Sequence, residues 1–360
     1  MTFTTKNKYT TIYDHAQPKK RIFINGWELP YGEILAPMAG ISDSPYRRIV
    51  KRFGAGLLVT ECISAEGVKR EGRVSLQMTQ FHLEERPISV QLFGSRPEQF
   101  EAAGAIVAEQ SKPDMIDINC GCPVKKFVTR FCGGWLMQDP DLIGKIVEAT
   151  KRGSGLPVSV KLRIGYARPD ITVIRAAQAA EAAGAELIAV HGRWVRGSKG
   201  TNAEWDYIAQ VKQAVSVPVI GNGDLRSYED VSRMVNATGC DRVMIGRWAA
   251  GRPWLFSGLA GENYPVSELK PPPMKERITI LLDHYLMMVE QFGEYGATLR
   301  MRKHLGWYTR GMPGGASVRD TANKLRDYRQ VLDLLYGFRD SLPENHENPP
   351  EEVDDVPDPD

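Results

Sequence analysis

No stretch of this sequence approaches the run of about 18 uninterrupted apolar residues that a membrane-spanning helix needs, so none is expected. Met1 to Arg21 lacks both the apolar centre of a secretory signal and the acid-free, Arg-rich character of a transit peptide; it is a polar leader that includes Asp14. A cytoplasmic location is the expectation that remains. Cysteine is scarce. The five thiols, Cys62, Cys120, Cys122, Cys132 and Cys240, are odd in number and scattered, which argues against a disulfide framework and fits a reducing compartment. Cys120, Cys122 and Cys132 lack the paired C-x₂₋₄-C knuckles of zinc sites, so no metal is expected. Basic residues are absent from the final stretch: Glu344 to Asp360 carries eight acids, several prolines and no Lys or Arg, and 341–360 reads as a disordered tail. Outside those acids, 46 basic residues face 36 acidic ones, a net charge of +10 that the whole-chain value of +2 conceals. Such a body accommodates an anionic partner without identifying one.

What is present is ordinary in bulk and patterned in detail. Apolar residues make up 42% of the chain and charged residues 25%, the profile of a soluble globular protein. The stretch 22–29 reads as a hairpin on the type I′ signal Asn25-Gly26. From Glu33, short β-rich runs at 33–38, 57–61, 87–92, 115–119, 157–162, 186–190, 217–221 and 241–246 alternate with helical patterns at 45–53, 97–110, 139–152, 170–183, 204–215 and 227–237. Gly184 and Gly239 stand where C-cap glycines belong. Eight strands with intervening crossovers predict an α/β fold, a (β/α)8 TIM barrel over 22–262. A doubly wound sheet is the alternative, but the first strand runs into Ala36-Pro37-Met38-Ala39-Gly40, without a G-x-G-x-x-G fingerprint. Pro271-Pro272-Pro273 then breaks the chain at an expected boundary near 260–273. Patterns at 274–292, 297–310 and 317–340 predict a small C-terminal helical bundle over 273–340.

A barrel gathers its active site at the C-terminal strand ends. Those ends carry Pro37-Met38-Ala39, Glu61, Gln91, Asn119 to Cys122, Lys161 with Arg163, His191-Gly192-Arg193, Asn222-Gly223-Asp224 and Gly246-Arg247. The last two turns lie where barrels bind phosphate. Their glycines let an anion approach backbone N–H groups, Arg247 adds charge, and His191 and Lys161 are placed to complete the cradle. At the fourth strand, the run Ile116 to Asn119 delivers two thiols on a Gly-Cys-Pro turn. Cys122, between Gly121 and Pro123, is the better held. The motif alone leaves open whether a thiol is chemical or both are small buried apolar groups.

These segments resemble the dihydrouridine synthases, FMN-dependent enzymes that reduce uridine in tRNA. The resemblance rests on APMAG at 36–40, VQLFGS at 90–95, DINCGCPVKK at 117–126, GGWLM at 133–137, VKLRIG at 160–165 and HGR at 191–193. PVIGNGD at 218–224, MIGRWAAGRPWLF at 244–256 and RKHLGWYTRGMPG at 302–314 extend it, so that it covers about residues 22–338. It implies that Pro37, Met38 and Ala39 line the isoalloxazine ring, and that Gln91 and Lys161 meet the flavin's polar edge. It implies that Asn119 orients flavin or uracil, and that His191, Asn222, Gly223, Asp224, Gly246 and Arg247 hold the ribityl phosphate. Cys122 becomes the general acid, protonating carbon 5 of uracil after hydride reaches carbon 6, with NADPH or NADH as reductant. A thiol with a pKa of about 8.5 is protonated at neutral pH yet serves a carbanion-like centre; a carboxylic acid would be ionised and a serine too weak. Cys120 stands where the family has an apolar residue and is expected to pack. Two departures flank the expected pocket: Trp135, in place of a small residue, and the stretch Trp194 to Lys199.

From Gly296 to Gln330 the chain carries Arg300, Arg302, Lys303, Arg310, Arg319, Lys324, Arg326 and Arg329 against Asp320 and Asp327, with Trp307 and Tyr308 among them. Basic groups neutralise phosphate and aromatics stack on exposed bases. With the resemblance, Arg302, Lys303, His304 and Arg310 are the expected tRNA contacts and Trp307 a core residue. No obligate protein partner is evident and a monomer is expected. Two rivals come from other classes. An FMN barrel reductase of a free pyrimidine would have no use for a basic helical domain, and an RNA-binding flavoprotein with decayed catalysis would not need Cys122, Lys161 and His191 together.

Overall fold

Eight short apolar runs close into a parallel barrel in the computed structural model, which describes residues 21–257 and 271–343. The leader up to residue 20, the segment 258–270 holding the expected boundary, and the tail from 344 lie outside the described residues. A hairpin comes first, β1 (Ile22–Ile24) and β2 (Trp27–Leu29), paired antiparallel, with Asn25 and Gly26 at φ of 44° and 84° as a type I′ turn requires. The barrel strands are β3 (Ile34–Leu35), β4 (Leu57–Val59), β6 (Ile88–Phe93), β7 (Met115–Asn119), β8 (Val158–Arg163), β9 (Leu187–His191), β10 (Val219–Asn222) and β11 (Arg242–Ile245). Ile34 pairs with Met244 and Leu58 with Ile88, which closes the ring. A two-residue strand, β5 (Ile63–Ser64), extends the rim beside Leu92 and Phe93. Parallel strands are covered on both faces, and their near-continuous apolar runs reflect that.

One end of the barrel is plugged. Ile22, Ile24 and Leu29 of the hairpin form a buried cluster with Ile34, Leu57, Met115 and Leu187, each the first residue of its strand. Polar side chains are thereby directed to the opposite mouth. The crossovers are α1 (Ser44–Arg52), α4 (Pro97–Gln110), α6 (Pro140–Ser154), α7 (Val173–Ala182), α8 (Asp206–Ala214) and α9 (Tyr228–Thr238), close to their expected ranges. Asp43, Asp139 and Ser227 cap three of them through side-chain oxygens, and Gly239 ends α9 in the left-handed region. Two short helices, α2 (Ala65–Lys69) and α3 (Arg73–Met78), fill the second crossover, and a single turn, α5 (Lys125–Val128), follows β7.

Past the barrel, α10 (Met274–Tyr308) is interrupted at Gly293, whose φ of 70° and ψ of 166° are not helical. The expected helix over 317–340 is two helices, α11 (Gly315–Lys324) and α12 (Tyr328–Ser341). The break has a local cause: Asp327 takes an extended conformation and accepts hydrogen bonds from the N–H groups of Arg329 and Gln330, so it starts a new helix. This domain docks on α1. Tyr46 lies 5.4 Å from the His284 ring and 5.9 Å from that of His304, while Arg48 and Arg52 pair with Glu290 and Asp283.

Candidate active site

The turn after β7 is held by its own asparagine. Asn119 Oδ1 accepts hydrogen bonds from the N–H groups of Gly121 (3.1 Å) and Cys122 (2.9 Å), and the Cys122 carbonyl accepts from Gly134 N–H (2.9 Å). Gly133 makes this approach possible: its φ is +59°, and a Cβ there would lie 3.1 Å from Cys122 Cβ. The Asn119 amide is itself oriented from below. Its Nδ2 donates to Gln91 Oε1 (2.8 Å), Gln91 Nε2 donates to Asp117 Oδ2 (2.6 Å), and Ser159 Oγ donates to Asp117 Oδ1 (2.6 Å). Asp117 is fully enclosed, and burial drives its pKa up, against the pull of these hydrogen bonds and of Lys161. A buried carboxyl inside the barrel thus anchors a chain of contacts ending at the main chain of Cys122.

Cys122 lines a cavity of about 820 Å³, a size suited to a small-molecule ligand. Pro37, Met38 and Ala39 form one apolar wall, and Gln91, Asn119, Lys161, His191, the Asn222–Asp224 turn, Gly246 and Arg247 also line it. Lys161 Nζ donates to Asn222 Oδ1 (2.9 Å), and Asn222 Nδ2 donates to the Met244 carbonyl (2.7 Å), which ties β8, β10 and β11 together. Burial, then the neighbouring Arg163, lower the Lys161 pKa to about 8. His191 is driven well below its ordinary value by burial and by Arg163, Lys161, Arg193 and Arg247, so it is neutral at pH 7. Gly223, at φ +122°, lies against the His191 ring, where a Cβ would come within 3.0 Å. Asp224 faces this cationic end, but its carboxylate is already engaged by Arg193 Nη2 (2.6 Å) and Ala203 N–H (2.6 Å). Four cations gathered around a neutral imidazole make that part of the cavity electropositive.

The profile of the family described as dihydrouridine synthase matches residues 34–341. The chain belongs to the dihydrouridine synthase family. Among its relatives, a probable tRNA-dihydrouridine synthase of Rickettsia bellii is 38% identical over 324 residues, covering 89% of this chain and 98% of that one. The tRNA-dihydrouridine synthase B of Pseudomonas aeruginosa is 37% identical over 309 residues, covering 84% and 91%. In structure, the old yellow enzyme homologue of Zymomonas mobilis superposes with a TM-score of 0.52 at 12% identity, over 72% of this chain and 95% of that one, a likeness of fold.

This synthase is therefore a flavin-dependent oxidoreductase built on a TIM barrel. The residues expected from sequence for the flavin and the thiol chemistry all line the one cavity. The apolar wall beside a cation-rich end matches a flat ring carrying a phosphate, so the residues fit the cofactor. Asp117 and Cys62 were not among the residues expected at the site. Cys62 lines the same cavity and feels the charge of Cys122, and burial raises its thiol to about 12. Their signals were an acid inside an otherwise apolar strand and a cysteine at a strand end. Cys120 is buried, as expected of a packing residue. Trp135 lies outside the cavity lining and packs edge-on against Phe131 at 5.0 Å, whereas Val195 to Lys199 do line it. Among the described residues, no group of three His, Cys, Asp or Glu gathers as a metal site, and no helix is long and apolar enough to cross a membrane.

The helical-domain expectations need correction. His304 is fully buried between Tyr46, His284 and Trp307, out of reach of any nucleic acid. Arg302 is half-buried and its guanidinium donates to the Leu325 carbonyl (3.3 Å), a strut between α10 and α11. Arg310 is half-buried as well. Lys303 is exposed, and its ammonium bonds the Gly40 carbonyl just past β3, next to Asp43 and Glu61. An alternation of basic and aromatic residues does not distinguish the two faces of a docked helix.

Proposed function

We propose that this synthase reduces the C5–C6 double bond of uridines in tRNA, with FMN in the cavity, NADPH or NADH as reductant, and Cys122 as the general acid. The observation that carries the reading is the thiol turn, in which Cys122 is held through its N–H and its carbonyl at the wall of a cavity with a cationic end. FMN, when bound, supplies the hydride that uracil carbon 6 receives. The Cys122 thiol gives its proton to carbon 5, so one hydride and one proton saturate the bond and the thiolate is reprotonated from solvent. Asn119 keeps that thiol in place by fixing the turn, and the Asp117–Gln91 pair keeps Asn119 in place.

His191, the Asn222-Gly223-Asp224 turn and Gly246-Arg247 hold the ribityl phosphate. A neutral His191 contributes a hydrogen bond there, and Arg247 contributes charge. Pro37, Met38 and Ala39 cover the ring, and the Lys161 ammonium, braced by Asn222, stabilises negative charge at the ring's polar edge. The target uridine must leave its stack to reach the cavity, as bases do in other modifying enzymes. RNA as substrate agrees with the surplus of positive charge outside the acidic tail and with the relatives' names as tRNA-dihydrouridine synthases, and a cytoplasmic location goes with this reading. The test is Cys122→Ala. The variant keeps its visible flavin absorbance and its tRNA affinity while dihydrouridine formation falls by roughly 10²- to 10⁴-fold, the usual contribution of a general acid. Wild-type turnover in that variant would refute the assignment.

A further inference from the structure

The ten residues from Pro123 to Cys132 form a small excursion whose base is closed by the Gly134 N–H bond to the Cys122 carbonyl. Its inner side is anchored. Phe127 packs edge-on against Phe93 at 4.3 Å, Val128 is buried, and Val124, Lys125 and Phe127 line the cavity. Its outer side is open: Val124, Lys125, Lys126, Thr129, Arg130 and Phe131 are exposed. Lys125, Lys126 and Arg130 are the only charges between Asp117 and Asp139, and none forms an ion pair with a described residue.

Phe131 is the unusual member. It is 56% exposed, yet its ring is held edge-on by Trp135 at 5.0 Å and 80°. Its φ of +59° lies in the left-handed region, where glycine or asparagine is the common occupant. A bulky aromatic is thus displayed to solvent, in an unfavourable backbone conformation, two residues before the glycine that abuts Cys122. Strain of this kind persists at positions that bind. Three cations without an ion pair to any described residue, around a braced aromatic, match phosphates around a base. A protein partner's acidic face would match the cations and leave the ring unexplained.

We infer that this rim docks the RNA substrate, with Phe131 stacking on a nucleotide beside the uridine that enters the cavity and Lys125, Lys126 and Arg130 taking flanking phosphates. Trp135 then has a role, as the brace that orients Phe131. The inference rests on the reading that RNA is the substrate.

Its test is the binding of a fluorescent, unmodified tRNA transcript to the flavin-loaded enzyme over a range of salt, with bound flavin absorbance checking the fold. Phe131→Ala weakens binding on the order of 10-fold, the loss of one base–aromatic stack, and leaves the salt slope unchanged. Phe131→Trp binds as wild type, whereas Phe131→Leu, apolar but not aromatic, binds as weakly as Phe131→Ala. The Lys125→Ala, Lys126→Ala, Arg130→Ala triple variant lowers the log–log salt slope by about 2. Equal affinity of wild type and Phe131→Ala, or wild-type affinity of Phe131→Leu, overturns the stacking role while tRNA remains the substrate. A wild-type protein that neither binds tRNA nor forms dihydrouridine overturns both readings.

Discussion

What the surrounding residues hold at Cys122 is its main chain. Asn119 spends its carbonyl oxygen on two N–H groups of the turn, and Gly133 and Gly134 close the other side. Lys161 gives the sharpest residue-level prediction. Its ordinary value of about 10.4 falls to about 8 on folding. The ammonium is therefore charged below pH 8, where burial penalises it, and neutral above. Between pH 8 and about 10.4 the unfolded chain holds the extra proton, so this site adds stability to the flavin-free protein as pH rises through that window. Flavin affinity moves the other way, falling above pH 8 as the cation is lost. A fluorescence titration with FMN from pH 7 to 9 should show that fall, and Lys161→Arg, which keeps its charge, should abolish it. A pH-independent affinity in the wild type would remove Lys161 from the flavin's polar edge.

At the level of elements, all eight barrel strands were legible, because runs such as LLV and LIAV are apolar on both faces of a parallel sheet. The second crossover was not, since α2 and α3 are five and six residues long, too short for a helical period to register. The docking of α10 on α1 was equally invisible. It buries His284 and His304 with ring centroids 4.6 Å apart, and none of their ring nitrogens has a protein hydrogen-bond partner among the described residues. Burial lowers His284 to about 3, with Lys303 adding to the effect, and lowers His304 well below its ordinary value, helped by His284 and Lys303. Both rings stay neutral in the folded state while the unfolded chain takes up protons below about pH 6.5. Stability present above that pH is lost as pH falls, by about 1.4 kcal/mol per pH unit for each histidine. Urea midpoints measured from pH 7 to 5 should follow that slope, and His304→Leu should reduce it by about half. An unaltered slope in His304→Leu would mean that other groups carry the acid sensitivity.

On the scale of the whole molecule, exposed basic residues fall in two sets, Lys125, Lys126 and Arg130 on the rim, of which Lys125 lines the cavity, and Arg300, Lys303 and Arg326 on the helical domain. Neutralising about six phosphates gives a log–log salt slope of about −4 to −5, so raising salt from about 50 to 200 mM should weaken tRNA binding on the order of 10²- to 10³-fold. A nearly flat salt dependence would show that these surfaces do not track the backbone. Lys303 adds a mechanical link, since its bond to the Gly40 carbonyl connects the helical domain to the loop after Pro37, Met38 and Ala39. Cutting the chain before α10 would break that link and uncover Tyr46, so charge changes at exposed positions are the cleaner probe of RNA contact.

The sequence alone determined the barrel, its strand order and the residues at its mouth, because strand periodicity, turn chemistry and short motifs are local and survive without coordinates. It also singled out Cys122 over Cys120, from the glycine and proline on either side. Only the tertiary structure decided that His304 is interior while Lys303 is not, that Asp117 anchors the thiol turn from below, and that Trp135 braces an exposed Phe131. Each of these depends on which face of an element meets another far along the chain, and no local pattern encodes that meeting.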